Sequence, residues 1–217
     1  MKFLQLFSIQ VIIFLLASTH LSAQQDSFED YRKSGHTIST LVPVYSQSVK
    51  FSYPKGFKSA YEKAGASSYI HEWIPQEETL KNWTLMFTLT GDKDLSLSNG
   101  ITPQHVASRV ASGFRNACLS TFAAKTLGTE SINGHEAFKA IVACGNVLFG
   151  TPRSETTVLL VIKGSRDYYI LQGAERSSPI SKPPTLSESK ATQVLNMIRP
   201  IKICPNPATT KARVASC

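Results

Sequence analysis

The most regular hydrophobic pattern in the 217-residue sequence lies between positions 83 and 90. Apolar side chains there occupy every second position, and Thr84, Met86, Thr88 and Thr90 lie between them. The apolar members of the alternation are Trp83, Leu85, Phe87 and Leu89. A period of two is typical of a β-strand with one face in the core. We therefore predict a strand in which Trp83 heads the inward row.

Shorter alternations predict two strands upstream. One spans Val49–Tyr53 and ends at the turn signal Pro54-Lys55-Gly56. The other spans Ser68–Ile74, and the pleat of a strand divides its side chains between two faces. One face carries Tyr69, His71 and Trp73, and the other carries Ile70, Glu72 and Ile74. Pro75–Glu78 ends this strand, and its glutamates suit the start of a short helical turn.

Two hairpins are predicted in the second half of the chain. Their strands are Phe122–Ile132, Glu136–Ala143, Thr157–Lys163 and Tyr168–Gln172. Asn133-Gly134 favours a type I′ turn in the first hairpin, and Gly164–Asp167 connects the strands of the second. Val158–Ile162 is apolar on both faces, which predicts a central strand covered on both sides.

Two helices complete the predicted elements. The first begins at Thr102-Pro103, a cap followed by a favourable first residue, and ends near Cys118. The second is capped by Ser187 and ends before Pro200. Their apolar stripes are Val106, Val110 and Phe114 in the first helix and Ala191, Val194, Leu195 and Ile198 in the second. Strands and helices in this order predict an α+β fold, with helices packed on an antiparallel β-sheet.

Residues 1–23 have the pattern of a secretory signal peptide. Lys2 precedes an apolar run that is too short to span a bilayer, and small residues end the segment at Ala23. Cleavage there leaves three parts, namely a loose leader over 24–48, a single domain over 49–204 and a basic tail over 205–217. We expect a periplasmic or extracellular protein with no transmembrane segment.

The net charge of the chain is +8, and that of the mature protein is +7 because Lys2 is the only charged residue of the signal peptide. Basic residues are scattered, and no five like charges follow one another. A positive surface favours anionic partners such as lipid headgroups or wall polymers, but this scatter is more typical of an ordinary basic exported protein. No nucleic acid is expected, because aromatic and basic residues are not interleaved as in nucleic-acid-binding proteins.

Four cysteines in an oxidising compartment favour two disulfides. Three pairings are open, and the spacing fits no zinc pattern. We favour Cys118–Cys144 inside the domain and Cys204–Cys217 closing the tail. The second choice rests on proximity, because a terminal residue is otherwise hard to order.

The order of several motifs resembles a family of small exported proteobacterial proteins of unknown function. The motifs are Pro75–Thr84, a helix ending in Cys118, Asn133-Gly134 before a strand ending in Cys144, Gly150–Glu155 and Tyr168–Arg176. The resemblance covers roughly residues 49–204 and implies an exported module, without assigning active residues. More remotely, the architecture resembles the PsbP-like α/β/α sandwich, whose members are mostly accessory or assembly proteins. The chain departs from the family pattern after Cys204, where the basic tail follows.

No catalytic residue, metal site or cofactor is assigned from the sequence. Gly65–Tyr69 lacks the second glycine of a nucleophile elbow. Adjacent Glu77 and Glu78 do not flank a glycosidic bond as a carboxylate pair must. The mature histidines, which are scattered along the chain, are His36, His71, His105 and His135.

Two functional hypotheses follow. The preferred one is a non-catalytic binding or accessory module of an unknown envelope or secreted partner. Its ligand-binding residues would be Tyr69, His71, Trp73 and Arg176. The alternative is a secreted hydrolase-like enzyme or effector with a cleft that combines His71, Glu72 and Arg176. Convergence of these last three side chains in one concave pocket would favour the enzyme.

Overall fold

A computed structural model describes residues 28–206. Within that range the chain forms three α-helices and ten β-strands, with short 3-10 turns at Leu95–Leu97 and Leu119–Thr121. In chain order they are α1 (Phe28–Ser34), β1 (Thr37–Val44), β2 (Gln47–Pro54), β3 (Phe57–Ala64), β4 (Ser68–Pro75), β5 (Leu85–Asp92), α2 (Pro103–Cys118), β6 (Phe122–Ile132), β7 (His135–Cys144), β8 (Ser154–Lys163), β9 (Tyr168–Ser177), α3 (Glu188–Met197) and β10 (Lys202–Pro205).

The strands form two antiparallel sheets. The larger has the order β3-β4-β5-β9-β8-β7-β6, and the smaller has the order β1-β2-β10. Both predicted hairpins are confirmed, and Asn133 and Gly134 have the positive φ angles, 37° and 90°, of a type I′ turn. The β8 strand lies between β9 and β7 and is buried on both faces, as its continuous apolar run predicts.

The two faces of the large sheet are covered differently. The first, here called the main face, packs against α1, α3 and the small sheet in the principal core. The opposite, second face carries α2, whose Val106 and Ala107 pack on side chains of β7, β8 and β9. This arrangement confirms the predicted α+β fold with helices packed on an antiparallel sheet.

Both predicted helices are confirmed at their caps. The Thr102 hydroxyl accepts a hydrogen bond from the His105 backbone N–H at 3.3 Å before α2. The Ser187 hydroxyl accepts one from the Lys190 backbone N–H at 3.3 Å before α3. These bonds satisfy backbone donors that the first turn of a helix leaves without partners.

The predicted Cys118–Cys144 disulfide is present and joins the end of α2 to the end of β7. Cys204 is also disulfide-bonded. Cys217 lies outside the described residues, so the Cys204–Cys217 pairing stays a prediction.

The expected loose leader is wrong for its described part. Residues 28–34 form α1, and residues 37–44 form β1, which pairs with β2 along its whole length. Val42 and Val44 are buried in the principal core, so the end of β1 belongs to the packed domain. Further strands absent from the sequence interpretation are the mostly exposed β3 and the four-residue β10. Neither carries the continuous apolar alternation on which strand prediction depends.

Trp83 does not head the inward row of β5. The row of Leu85, Phe87 and Leu89 faces the principal core, but Trp83 packs on the second face with Ile74, Met86 and Ala174. The reason is that β5 begins only at Leu85. The preceding loop is held by Glu78, whose carboxylate accepts hydrogen bonds from the Thr84 N–H and hydroxyl at 2.7 and 2.6 Å.

Candidate functional site

The four residues predicted to bind a ligand lie on opposite faces of the large sheet. Tyr69 and Trp73 point from β4 into the principal core and are only 5% and 3% exposed. His71 lies between them on the same strand face, as the sequence predicts. Arg176 lines a groove on the second face together with Glu72. The structure therefore does not bring His71, Glu72 and Arg176 together, and the hydrolase-like alternative loses its shared cleft.

His71 lies in the middle of a hydrogen-bonded chain of side chains that connects β3 and β4. Its Nε2 is 2.7 Å from the Ser59 hydroxyl, and its Nδ1 is 3.1 Å from the Tyr69 hydroxyl. Tyr69 donates its own proton to Glu62 at 2.7 Å. A neutral imidazole protonated on Nδ1 satisfies every member, since it donates to Tyr69 and accepts from Ser59. The His71 ring also stacks on Trp73, with centroids 3.7 Å apart.

A β-bulge in the edge strand makes this chain possible. The register of β3 against β4 shifts between Ser59 and Tyr61. Strict alternation would place Ser59 and Tyr61 on one face, but the shift turns Ser59 and Glu62 towards His71 and turns Tyr61 to the second face. The His71 cluster therefore fastens the edge strand β3 to β4.

His71 should make the fold sensitive to mild acid. Burial lowers the pKa of His71 below its ordinary value, and the nearby Glu62 carboxylate opposes this only in part. The unfolded chain takes up a proton near about pH 6.5, so stability is present above that pH and is lost as the pH falls through it. Urea unfolding at pH 7.5 and 5.5 should show a smaller loss of stability for His71→Gln than for the wild type.

The matched control for that measurement is His105→Gln, at the exposed start of α2. It should keep the wild-type dependence of stability on pH. Equal pH dependence in His71→Gln and in the wild type would contradict this role of His71.

Among residues 28–206, nothing covers the second face beyond the end of α2 near Phe114. A groove of about 480 Å³, here called the sheet groove, lies between Phe114 of α2 and Tyr61 of the edge strand β3. Three cross-strand rows form its floor. The rows are Glu72, Thr88 and Gln172; Met86, Ala174 and Thr157; and Arg176 with Glu155. Polar groups are therefore presented on a sheet face whose other parts pack in apolar clusters.

Arg176 is held in place by two neighbours. Its Nε donates a hydrogen bond to the Glu155 carboxylate at 2.9 Å, and its Cζ lies 3.4 Å from the centre of the Trp83 ring. Burial lowers the pKa of Arg176, while Glu155 raises it. An arginine remains charged under such conditions. The pair Arg176–Trp83 is consequently a fixed cation lying over a buried indole ring.

Burial affects two further polar groups of the groove, the Glu72 carboxyl and the Thr157 hydroxyl. Burial raises the pKa of the Glu72 carboxyl, and the positive charge of Arg176 partly opposes this shift. The Thr157 hydroxyl is buried and finds no hydrogen-bond partner among residues 28–206. Buried polar atoms in native proteins are normally paired, with protein or with water. The Thr157 hydroxyl is thus a polar group beneath the groove floor that residues 28–206 leave unpaired.

The disulfide fixes one wall of the groove. Cys144 lies opposite Glu155 in the β7–β8 register, and Cys118 ends α2 one turn after Phe114. The cross-link therefore holds the last turn of α2 beside the Glu155–Arg176 pair.

The Glu155–Arg176 pair of this site could have been predicted from the sequence. The predicted turn that pairs Lys163 with Tyr168 fixes the hairpin register, and that register places Glu155 opposite Arg176. Opposite charges at facing positions are a recognisable cross-strand pair. The approach of Trp83 to Arg176 gives no such signal, because it depends on a loop conformation.

Residues 28–206 contain neither a cluster of metal-ligating side chains nor a membrane-spanning helix. No three histidine, cysteine or acidic side chains come together as a metal site requires. No helix there is long and apolar enough to cross a bilayer.

No family model matches the sequence, and no curated protein matches it. Among solved structures, the chain is similar to the Ran-binding protein Mog1p of Saccharomyces cerevisiae, with 9% identity, a TM-score of 0.45 and coverage of 75% of this chain and 91% of that one. It is similar to LpqN of Mycobacterium tuberculosis, which is involved in cell envelope biogenesis, with 14% identity, a TM-score of 0.37 and coverage of 84% and 99%.

The cyanobacterial PsbP protein CyanoP of Synechocystis is also similar, with 13% identity, a TM-score of 0.38 and coverage of 68% of this chain and 79% of that one. Likenesses at these identities and scores concern shape alone and assign no function to the chain.

Proposed function

We propose that this protein is an exported, non-catalytic module that binds a protein partner in the sheet groove. The observation that carries the proposal is the groove itself, a part of a sheet face that residues 28–206 leave uncovered, with aromatic walls and a fixed arginine. Concave sites with apolar walls and a few placed polar groups are the usual ligand sites of proteins, and the exposed apolar side chains of Tyr61 and Leu80 in the lining of the sheet groove favour a protein as the ligand.

Export is supported by two features. The sequence begins with a pattern typical of a secretory signal peptide. The Cys118–Cys144 disulfide is of the kind that forms and persists in oxidising compartments.

The groove is better suited to binding than to glycan cleavage. Glu72 and Glu155 both line it, and they lie three strands apart and four residues apart in register. Strand geometry separates their backbones by about 14 Å across the sheet and about 13 Å along it. Glycosidase carboxyl groups lie within about 10 Å of each other. Glu155 is also engaged by Arg176, so no acid–base pair faces a common bond.

Substitution of an exposed wall residue tests the proposal. Leu80 lines the groove and is 42% exposed, so Leu80→Ser should leave the fold intact while removing an apolar contact with the partner. Affinity capture from the native envelope and secreted fractions, quantified by mass spectrometry, should show a loss of at least about fivefold for the partner, as expected when about 1 kcal/mol of contact is removed.

The control for this experiment is Leu97→Ser. Leu97 is 54% exposed and does not line the groove, so this variant should retain the partner. Equal capture by both variants would contradict binding in the sheet groove.

A further inference from the structure

The sheet groove continues past Trp83 into a second, positively charged recess. This cationic recess, of about 520 Å³, shares Leu80, Trp83 and Arg176 with the sheet groove. Its far wall is the loop Gly150–Arg153. The stacked Arg176–Trp83 pair therefore lies where the two concavities meet.

We propose that the cationic recess receives a carboxylate of the partner, so that the ligand of the groove is an acidic peptide segment. The proposal rests on the proposed function and deepens it. Among residues 28–206, three cations line the recess and no acidic residue does so. They are Lys81, Arg153 and Arg176.

The charge of the recess is only partly neutralised by neighbouring carboxylates. Glu155 lies behind it and is shared, at 2.9 Å from Arg176 Nε and 3.7 Å from Arg153 Nε. Glu72, of the sheet groove, also attracts Arg176, and neither Glu72 nor Glu78 lines the recess. Charge complementarity therefore favours an anionic group.

The position of the Arg153 guanidinium also favours binding of a carboxylate in the recess. Its Nε is buried and finds no hydrogen-bond acceptor among residues 28–206, since 3.7 Å to Glu155 exceeds hydrogen-bond distance. Another of its nitrogens donates to the Thr151 carbonyl at 3.1 Å, which fixes the guanidinium in the loop. The side chain as a whole is 27% exposed, so an incoming carboxylate meets the terminal nitrogens of a fixed guanidinium, a group that pairs with carboxylates through parallel N–H bonds.

The surroundings of the recess favour a peptide as the carrier of the carboxylate. Leu80 lines the recess, and Phe149 directly precedes Gly150 of its far wall; both side chains are exposed, the latter at 72%. On the other side of Trp83, the Thr88–Gln172 row offers hydrogen-bonding groups along the groove floor. Apolar side chains, an acidic side chain and backbone amides are combined in an extended acidic peptide segment.

Matched synthetic peptides test the proposal with the full mature chain. The probes are acetyl-Ala-Leu-Asp-Glu-Leu-Ala-amide and its Asn-Gln counterpart, titrated into isotopically labelled protein and followed by NMR. The acidic peptide should shift the amide resonances of Gly150, Thr151 and Ser177 and bind at least about tenfold more tightly than the neutral one. The Arg153→Gln variant should lose this preference, and Lys125→Gln, a cation outside the recess on β6, should keep it.

The outcomes separate this inference from the proposed function. Equal binding of both peptides in the sheet groove, unaffected by Arg153→Gln, would overturn the acidic ligand and leave groove binding in place. Binding of neither peptide overturns the acidic ligand as well, and the Leu80→Ser capture experiment then decides on groove binding alone. Equal displacement of the acidic peptide by inorganic phosphate and by acetate would show a general anion site and would overturn the selectivity for a carboxylate.

Discussion

Replacing Asp167 with asparagine should lower the free energy of unfolding by about 2–4 kcal/mol, because it removes a buried charge on which several donors converge. Asp167 lies between β8 and β9 and is 1% exposed. Its Oδ2 accepts hydrogen bonds from the Ser46 N–H at 3.0 Å, the Ser46 hydroxyl at 2.5 Å and the Tyr169 hydroxyl at 3.2 Å. Its Oδ1 accepts one from the Asp94 N–H at 2.8 Å.

These bonds join three separate parts of the chain. Ser46 belongs to the β1–β2 turn, Asp94 follows β5, and Asp167 ends the β8–β9 turn. An asparagine would keep one acceptor oxygen but would place its own N–H₂ group against donors that need an acceptor. The small sheet should therefore lose part of its attachment to the large one.

The same carboxylate should confer sensitivity to strong acid. Burial raises the pKa of Asp167, but the hydrogen bonds from Ser46, Asp94 and Tyr169 outweigh it and hold the pKa below the ordinary value. Its contribution to stability is then present above about pH 4 and is lost as the pH falls below that value.

Urea unfolding of Asp167→Asn at pH 7 measures the predicted loss. The matched control is Asp92→Asn, which removes an exposed ion pair with Arg109 and should change stability by less than about 1 kcal/mol. A similar, small effect in both variants would show that the Asp167 hydrogen bonds do not hold the sheets together.

Removing the Cys118–Cys144 disulfide should destabilise the protein by about 3–4 kcal/mol. The two cysteines are 26 residues apart and fully buried. Chain-entropy arguments give a stabilisation of about 3.5 kcal/mol for a loop of that length. Since the cross-link also holds the end of α2 beside Glu155, its loss should loosen the wall of the sheet groove.

Two double variants of Cys118 and Cys144 distinguish loss of the cross-link from burial of new polar groups. Alanine at both positions removes the cross-link alone, and serine at both positions also buries two hydroxyl groups. Urea unfolding should show a large loss for the alanine pair and a larger one for the serine pair. Stability of the alanine pair within about 0.5 kcal/mol of the wild type would contradict a structural role for this disulfide.

The elements with strong local signals could be predicted from the sequence. The cap of α2 at Thr102, the cap of α3 at Ser187 and the type I′ turn at Asn133-Gly134 depend on interactions between near neighbours, and all are confirmed. The alternation of Leu85, Phe87 and Leu89 is equally local and also holds. Elements of this kind are specified by spacing alone.

The rest depends on contacts that spacing does not encode. The β3 strand is mostly exposed and bulged, so its residues lack a regular apolar period. The position of Trp83 depends on a loop held by Glu78. The stripe on α2 identifies its buried side, but only the packed structure shows which half of the sheet it leaves open.

The predicted ligand site likewise combines features that the sequence predicts with features that only the structure shows. The shared face of Tyr69, His71 and Trp73 follows from the pleat, but the sequence does not reveal that the core covers this face. The Glu155–Arg176 pair on the opposite side follows from hairpin register, and its partner Trp83 does not.

Site-specific photo-crosslinking in the native host tests groove binding most directly. A photoreactive amino acid would replace Leu80 in the groove wall or Leu97 outside the groove, in otherwise unchanged protein. Because a partner in the sheet groove must lie against the position of Leu80, illumination should give a discrete covalent adduct there and none from the position of Leu97. Adducts of equal yield from both positions, or adducts from the position of Leu97 alone, would contradict the sheet groove as the binding site.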